Sequence, residues 1–175
     1  MGLQNIIRSG WRRLLIFKNK YNTNQDRKLR IIISWALVIS WMAVIFMLSS
    51  QVAEQSNELS TGITQTVIEI IQKATPLWDI GSDQLNHILR KGAHFTAYMI
   101  LGALVMNALC KSFGIGKRHI FWGFMICVIY AVSDEVHQAF VPGRGPALKD
   151  VLIDSAGAFT GITFLTLRKN LKKID

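Results

Sequence analysis

Four long apolar runs divide the chain, and polar or basic stretches separate them. Ile31–Leu48 is 18 consecutive residues without a charge, enough to cross a bilayer as a helix. The basic region before it is too long for a signal peptide, and no small-x-small cleavage site follows Leu48, so the run reads as an uncleaved anchor. Ala93–Leu109 is a second apolar run, with His94, Thr96 and Tyr98 in its first turns. Ile120–Val132 is the core of a third, which continues through two acids to about Phe140. Val151–Leu167 is the fourth, with Asp154 as its only charge. The pattern predicts an all-α integral membrane protein with four transmembrane helices.

The segments between the runs predict shorter amphipathic pieces. In residues 1–30, Ile7, Trp11, Leu14 and Leu15 share one helical face, with Arg8, Arg12 and Lys18 around it. This reads equally as a basic helix on an anionic membrane surface or as a disordered basic tail. Asn22–Gln25 predicts a break after it. From Ser49 to Arg90 the chain is polar. Ile63, Val67, Ile70 and Ile71 mark one amphipathic helix, and Leu85, Ile88 and Leu89 begin another, with Pro76 and Gly81 between. Both are too short and too polar to span. The chain thus divides into a basic segment 1–30, a membrane domain 31–168 and a basic tail 169–175.

Composition agrees with a membrane location. Half of the residues are hydrophobic and only 18% are charged, fewer than a soluble domain of this size carries. The net charge of +9 does not point to nucleic acid. The Lys and Arg residues cluster at the ends of the apolar runs, and no phosphate loop, zinc-spaced cysteine set or RNA-binding aromatic motif is present. Cys110 and Cys127 lie within apolar runs and read as packing residues. Trp11, Trp35, Trp41, Trp78 and Trp122 read as interface anchors or lipid-facing bulk.

Charge then orients the bundle. With four spans, both termini and the turn at 111–118 share one side, which holds 15 of the 20 Lys and Arg residues. The positive-inside rule places that side in the cytoplasm. Nine of the eleven acids fall on the outer side.

The same topology gathers a polar constellation at the outer face. The start of span 2 brings Arg90, Lys91, His94 and Tyr98. The end of span 3 brings Asp134, Glu135 and Gln138. The turn and the start of span 4 bring Gly143, Arg144, Lys149, Asp150 and Asp154. Charges at membrane depth cost about 3 kcal/mol or more each, so this grouping points to a site. Arg144 and Lys149, with backbone N–H groups around Pro146 at the start of helix 4, suit an anion such as phosphate. His94, with Asp134 or Glu135 beside it, suits proton transfer. Asp134, Glu135, Asp150 and Asp154 are the residue types that hold a hard cation, although enough basic partners stand nearby to pair with them, and no metal or cofactor is expected. The plainer alternative is an ion-pair network that only holds helices together. His87 and His137 read as interfacial polar residues, and His119 lies on the other side. Gly157-x-x-x-Gly161 forms a small-residue stripe on span 4.

Three blocks carry a resemblance: Phe46–Gln51 (FMLSSQ), Arg90–Gly102 (RKGAHFTAYMILG) and Ser133–Asp154 (SDEVHQAFVPGRGPALKDVLID). Together they resemble the VanZ-like family over roughly residues 31–167. The resemblance implies a bacterial integral membrane protein with a role in lowering susceptibility to teicoplanin-type glycopeptides. Three functional readings follow. One is an envelope protein that engages an anionic lipid-linked precursor. Another is an intramembrane hydrolase or phosphatase acting on a lipid phosphate, with His94 as base or nucleophile and Arg144 and Lys91 on the phosphate. The last is a structural partner of another membrane protein, or a homo-oligomer, packing through Gly157 and Gly161.

The topology is directly testable. Reporters fused at Gly116 and after Asp175 are expected in the cytoplasm, and a cysteine at Ser60 is expected to react with an impermeant reagent from outside. Reporters at the two termini on opposite sides would exclude four spans.

Overall fold

The computed structural model describes residues 3–51, 82–143, 145 and 147–171. These residues form helices and turns, with no strand among them. The described residues contain four helices: α1 (Leu3–Ser49), α2 (Ser82–Phe113), α3 (Lys117–Gln138) and α4 (Leu148–Leu171). Each contains a stretch long and apolar enough to cross a membrane: Asn24–Ser49, His87–Phe113, Lys117–Gln138 and Leu148–Leu171.

Two local expectations change. The helix does not break at Asn22–Gln25, because α1 runs through it unbroken. The stretch contains neither Gly nor Pro, and its Asn, Thr and Gln residues each cost less than about 1 kcal/mol in a helix. Likewise Leu85, Ile88 and Leu89 do not begin a separate interfacial helix. They occupy the first turns of α2, where Leu85 is buried. The amphipathic pattern at Ile63–Ile71 lies outside the described residues, as do Lys73, Trp78 and Pro146.

The bundle is built on α2 and α4, which run parallel and share the most extensive interface. Gly157 and Gly161 of α4 lie directly against the α2 backbone. A methyl group at Gly157 would meet the Phe95 carbonyl oxygen at 2.2 Å, and one at Gly161 would meet that of Met99 at 1.9 Å. Gly102 of α2 returns the contact, since its Cβ would meet the Ala158 carbonyl oxygen at 2.3 Å. Small residues give this closeness, and in lipid close packing is the main force that joins helices. The Gly157–Gly161 stripe is therefore consumed inside the bundle and is not a face for another protein, as the sequence alone had suggested.

The outer helices are held by side chains. α1 runs antiparallel to α2. Trp41 Nε1 donates to the Ala97 carbonyl at 2.9 Å and Trp35 Nε1 to Ser112 Oγ at 3.2 Å. These two tryptophans knit helices together and are not lipid-facing bulk; Trp122, by contrast, is exposed. Tyr130 Oη of α3 donates to the Met42 carbonyl of α1 at 2.6 Å. Val38, Ile45, Tyr98, Leu101, Val105, Cys127, Ala131 and Ala158 fill the core. The outward surface is apolar: Leu37, Ile39, Met47, Phe121, Ile129 and Phe164 are all exposed. Such a surface suits hydrocarbon as its solvent.

The glycine seam predicts a contrast. Gly161→Ala forces the two backbones apart and is expected to cost about 1–3 kcal/mol. Gly92, on α2, has nothing within 4 Å of an added Cβ, and Gly92→Ala should stabilise by about 0.5–1 kcal/mol. Thermal unfolding in detergent measures both. Equal effects of the two substitutions would mean that the seam is not tight.

Candidate functional site: a buried carboxylate cluster at one end of the bundle

The register set by the glycine seam carries one turn further to the polar end of the bundle. Lys91 of α2 pairs with Asp150 of α4 through Nζ and Oδ1. One turn deeper, His94 Nδ1 lies 3.4 Å from Asp154 Oδ1. The spacing is the same as along the seam, so the two polar contacts and the Gly157 and Gly161 contacts lie on one helix face. Asp154 has no exposed surface. A carboxylate so placed loses its hydration and depends on protein partners.

α3 brings two more buried acids to the same end. Asp134 accepts from Gln138 Nε2 at 3.3 Å, one helical turn away. The Ser49 side chain, at the end of α1, interacts with Asp134 from across the bundle. Glu135 Oε2 accepts the Ala147 backbone N–H at 2.7 Å, just before α4 begins. Glu135 thus ties the end of α3 to the start of α4, and it occupies with a carboxylate of this chain an amide suited to an external anion. Asp134, Glu135 and Gln138 are each under 5% exposed.

Tyr98 stands below, 1% exposed, with its ring 6.2 Å from that of Tyr130. Several acceptor or donor atoms have no hydrogen-bond partner among the described residues. They are Tyr98 Oη, Asp134 Oδ1, Glu135 Oε1 and Asp154 Oδ2. Buried polar atoms are nearly always paired, so unpaired oxygens on three different carboxyl groups at one end of a bundle are unusual.

Cations form the rim of this acidic floor. Lys91 and Arg90 are half-buried and Lys149 is exposed, and both Arg90 and Lys149 lie close enough to Lys91 to act on its charge. Gly143 turns the chain with φ of +76°, a conformation that favours glycine. Arg144, the next residue, lies outside the described residues. The four acids do not converge on a common point. Asp150 goes to Lys91 and Glu135 to Ala147. Among the described residues, no group of three or more His, Cys, Asp or Glu side chains is arranged to hold a metal ion.

The structure brings together Lys91, His94, Tyr98, Asp134, Glu135, Gln138, Asp150 and Asp154, with Arg90 and Lys149 beside them. Sequence reasoning did not assign Ser49 or Tyr130 to this end. Their only signal was a serine pair closing an apolar run and a tyrosine one turn before the acids. His137 is placed by ring contact with Phe46, centroid to centroid 4.3 Å.

Fold and site together define a multi-pass membrane protein with a polar cluster sunk into one end of a four-helix bundle. The VanZ/LLP1 family profile matches residues 34–169, and the chain belongs to that family. No curated protein and no solved structure matches it.

The Glu135–Ala147 bond predicts a local effect. Glu135→Ala leaves a backbone N–H without its partner, at an expected cost of about 1–3 kcal/mol. Hydrogen exchange should quicken at residues 147–150 while 99–109 stay protected. Unchanged exchange at 147 would show that the bond does not hold the turn.

Proposed function

We propose that this end of the bundle holds the headgroup of a lipid-linked, anionic cell-envelope precursor at the outer leaflet. In its host the protein would thereby reduce susceptibility to teicoplanin-type glycopeptides, the role that the family resemblance implies. The observation that carries the reading is the layered polarity of the site. Buried acceptor oxygens without partners among the described residues lie deep, and cations lie at the rim. A phosphate would sit against Arg90, Lys91 and Lys149, with Arg144 adjacent in sequence. It would not go deeper, because the carboxylates of Asp134, Glu135 and Asp154 repel it. Hydroxyl, amide or ammonium groups of the same headgroup would donate to those carboxylates and to Gln138 or Tyr98. A precursor that carries phosphate beside a sugar or peptide supplies both halves. The alkyl chain would lie along the apolar outer surface. The outer placement rests on the positive-inside asymmetry.

A second reading has its own support, the contact between His94 and the fully buried Asp154. An imidazole held by a carboxylate is the usual arrangement of a general base. In that reading the protein is an intramembrane hydrolase or phosphatase. His94 takes the proton of an attacking water or itself attacks phosphorus, Lys91 and Arg144 stabilise the developing charge, and Asp134 or Glu135 supplies the leaving-group proton.

Native mass spectrometry of the purified protein separates these readings from an inert scaffold. Wild type is expected to retain a phosphorylated lipid. His94→Ala with Arg144→Ala should lower its occupancy about tenfold, as expected for loss of two polar contacts, and should remove any protection against teicoplanin. A folded variant that keeps both lipid and protection would sink the proposal. Release of phosphate from a pyrophosphorylated lipid by wild type, absent in His94→Ala, would select the hydrolase.

A further inference from the structure

A second polar feature lies at the opposite end of the bundle, where none of the residues above reaches. A cleft of about 290 Å³ opens between α1 and α2, lined by Asp26, Arg27 and Arg30 of α1 and Lys111 of α2. Lys91 and Lys111 are twenty residues apart on the unbroken α2 helix, a rise of about 30 Å. That equals the thickness of a bilayer's hydrocarbon core, about 30 Å. The cleft therefore sits at headgroup level when the carboxylate cluster sits at the other interface.

Its charges are not neutralised from within. Arg27 and Arg30 are exposed, and among the described residues no acid lies within ion-pair distance of Arg27, Arg30 or Lys111. Asp26 stands in the same cleft without pairing to them. Lys111 is held in place: its Nζ donates to Ser34 Oγ at 2.8 Å, and Ser34, 1% exposed, donates to the Arg30 carbonyl at 2.7 Å. One ammonium donor is used in this way, and the group has three. Next to it, Trp35 and Ser112 tie the two helices together, so the cleft walls are braced.

We propose that this cleft binds the phosphate of an anionic glycerophospholipid with a hydroxylated headgroup. Arg27, Arg30 and Lys111 hold the phosphate, as basic pockets between transmembrane helices do. Asp26 accepts a hydrogen bond from the headgroup hydroxyl, which explains an acid placed among three cations. The site is independent of the carboxylate cluster and of its function.

The test uses the full chain in detergent, with lipid binding resolved by native mass spectrometry. The probes are phosphatidylglycerol, phosphatidic acid, phosphatidylcholine and inorganic phosphate. Wild type is expected to bind phosphatidylglycerol about tenfold more tightly than phosphatidylcholine. Arg27→Gln with Arg30→Gln should abolish that preference, and Lys111→Gln should weaken it from the other helix. Lys117→Gln with Arg118→Gln removes the same charge from the same end and should leave the preference intact. The hydroxyl contact should also make wild type prefer phosphatidylglycerol to phosphatidic acid, and Asp26→Ala should keep binding but remove that second preference. Equal loss in the Lys117/Arg118 control would overturn the site in favour of diffuse attraction. Displacement of the lipid by millimolar inorganic phosphate would make free phosphate, and not lipid, the ligand. An unchanged headgroup preference in Asp26→Ala would remove the hydroxyl contact.

Discussion

The close approach of α2 and α4 is the constraint on which the rest of the molecule depends. Lipid tails are as apolar as leucine, so helices in a bilayer gain little by hiding apolar surface from them. They gain by packing closely, and here three glycines allow one backbone to rest on another. Backbone contact of this kind admits only one register. That register places Lys91 beside Asp150 and His94 beside Asp154. A shift of one residue would turn these side chains away from each other, so the glycines in the apolar half of the interface position the polar half.

At its carboxylate end the bundle is polar inside and apolar outside. Asp154 is wholly buried while Leu152 and Phe159, on the same helix, are largely exposed. In water this arrangement would fail twice, through bare apolar surface and through buried charge. In a bilayer the first problem disappears. The second is met by pairing: Lys91 with Asp150, Gln138 with Asp134, and the Ala147 amide with Glu135. What remains without a hydrogen-bond partner among the described residues is a set of carboxylate oxygens at this end. Proteins commonly hold such costs at functional sites.

The two ends of the bundle differ in chemistry. One gathers carboxylates beneath a cationic rim, and the other opens a cleft with three cations and one acid. They stand about 30 Å apart along α2, which matches the thickness of a bilayer's hydrocarbon core. Tryptophans help to set the frame between them, with Trp41 bonded to the carboxylate-end half of α2 and Trp35 to the opposite end.

The sequence by itself determined the number of spans, their rough limits and most of the residues that meet in the polar cluster, though not Ser49. Runs such as Ile31–Leu48 leave a helix no alternative in hydrocarbon, and charge beside such runs is too costly to be incidental. Antiparallel threading then brings alternate run ends together, so Lys91 and Asp150 were legible as neighbours although far apart in sequence. The tertiary structure alone decided the pairings within the cluster. It gave Glu135 to the Ala147 amide and Asp154 to His94, because the choice among four acids depends on rotation about helix axes, which spacing does not record. It also turned Gly157 and Gly161 inward and showed Trp35 and Trp41 bonding helix to helix. A small or aromatic residue on an apolar run looks the same whether it meets lipid or protein, and only its neighbours in space decide.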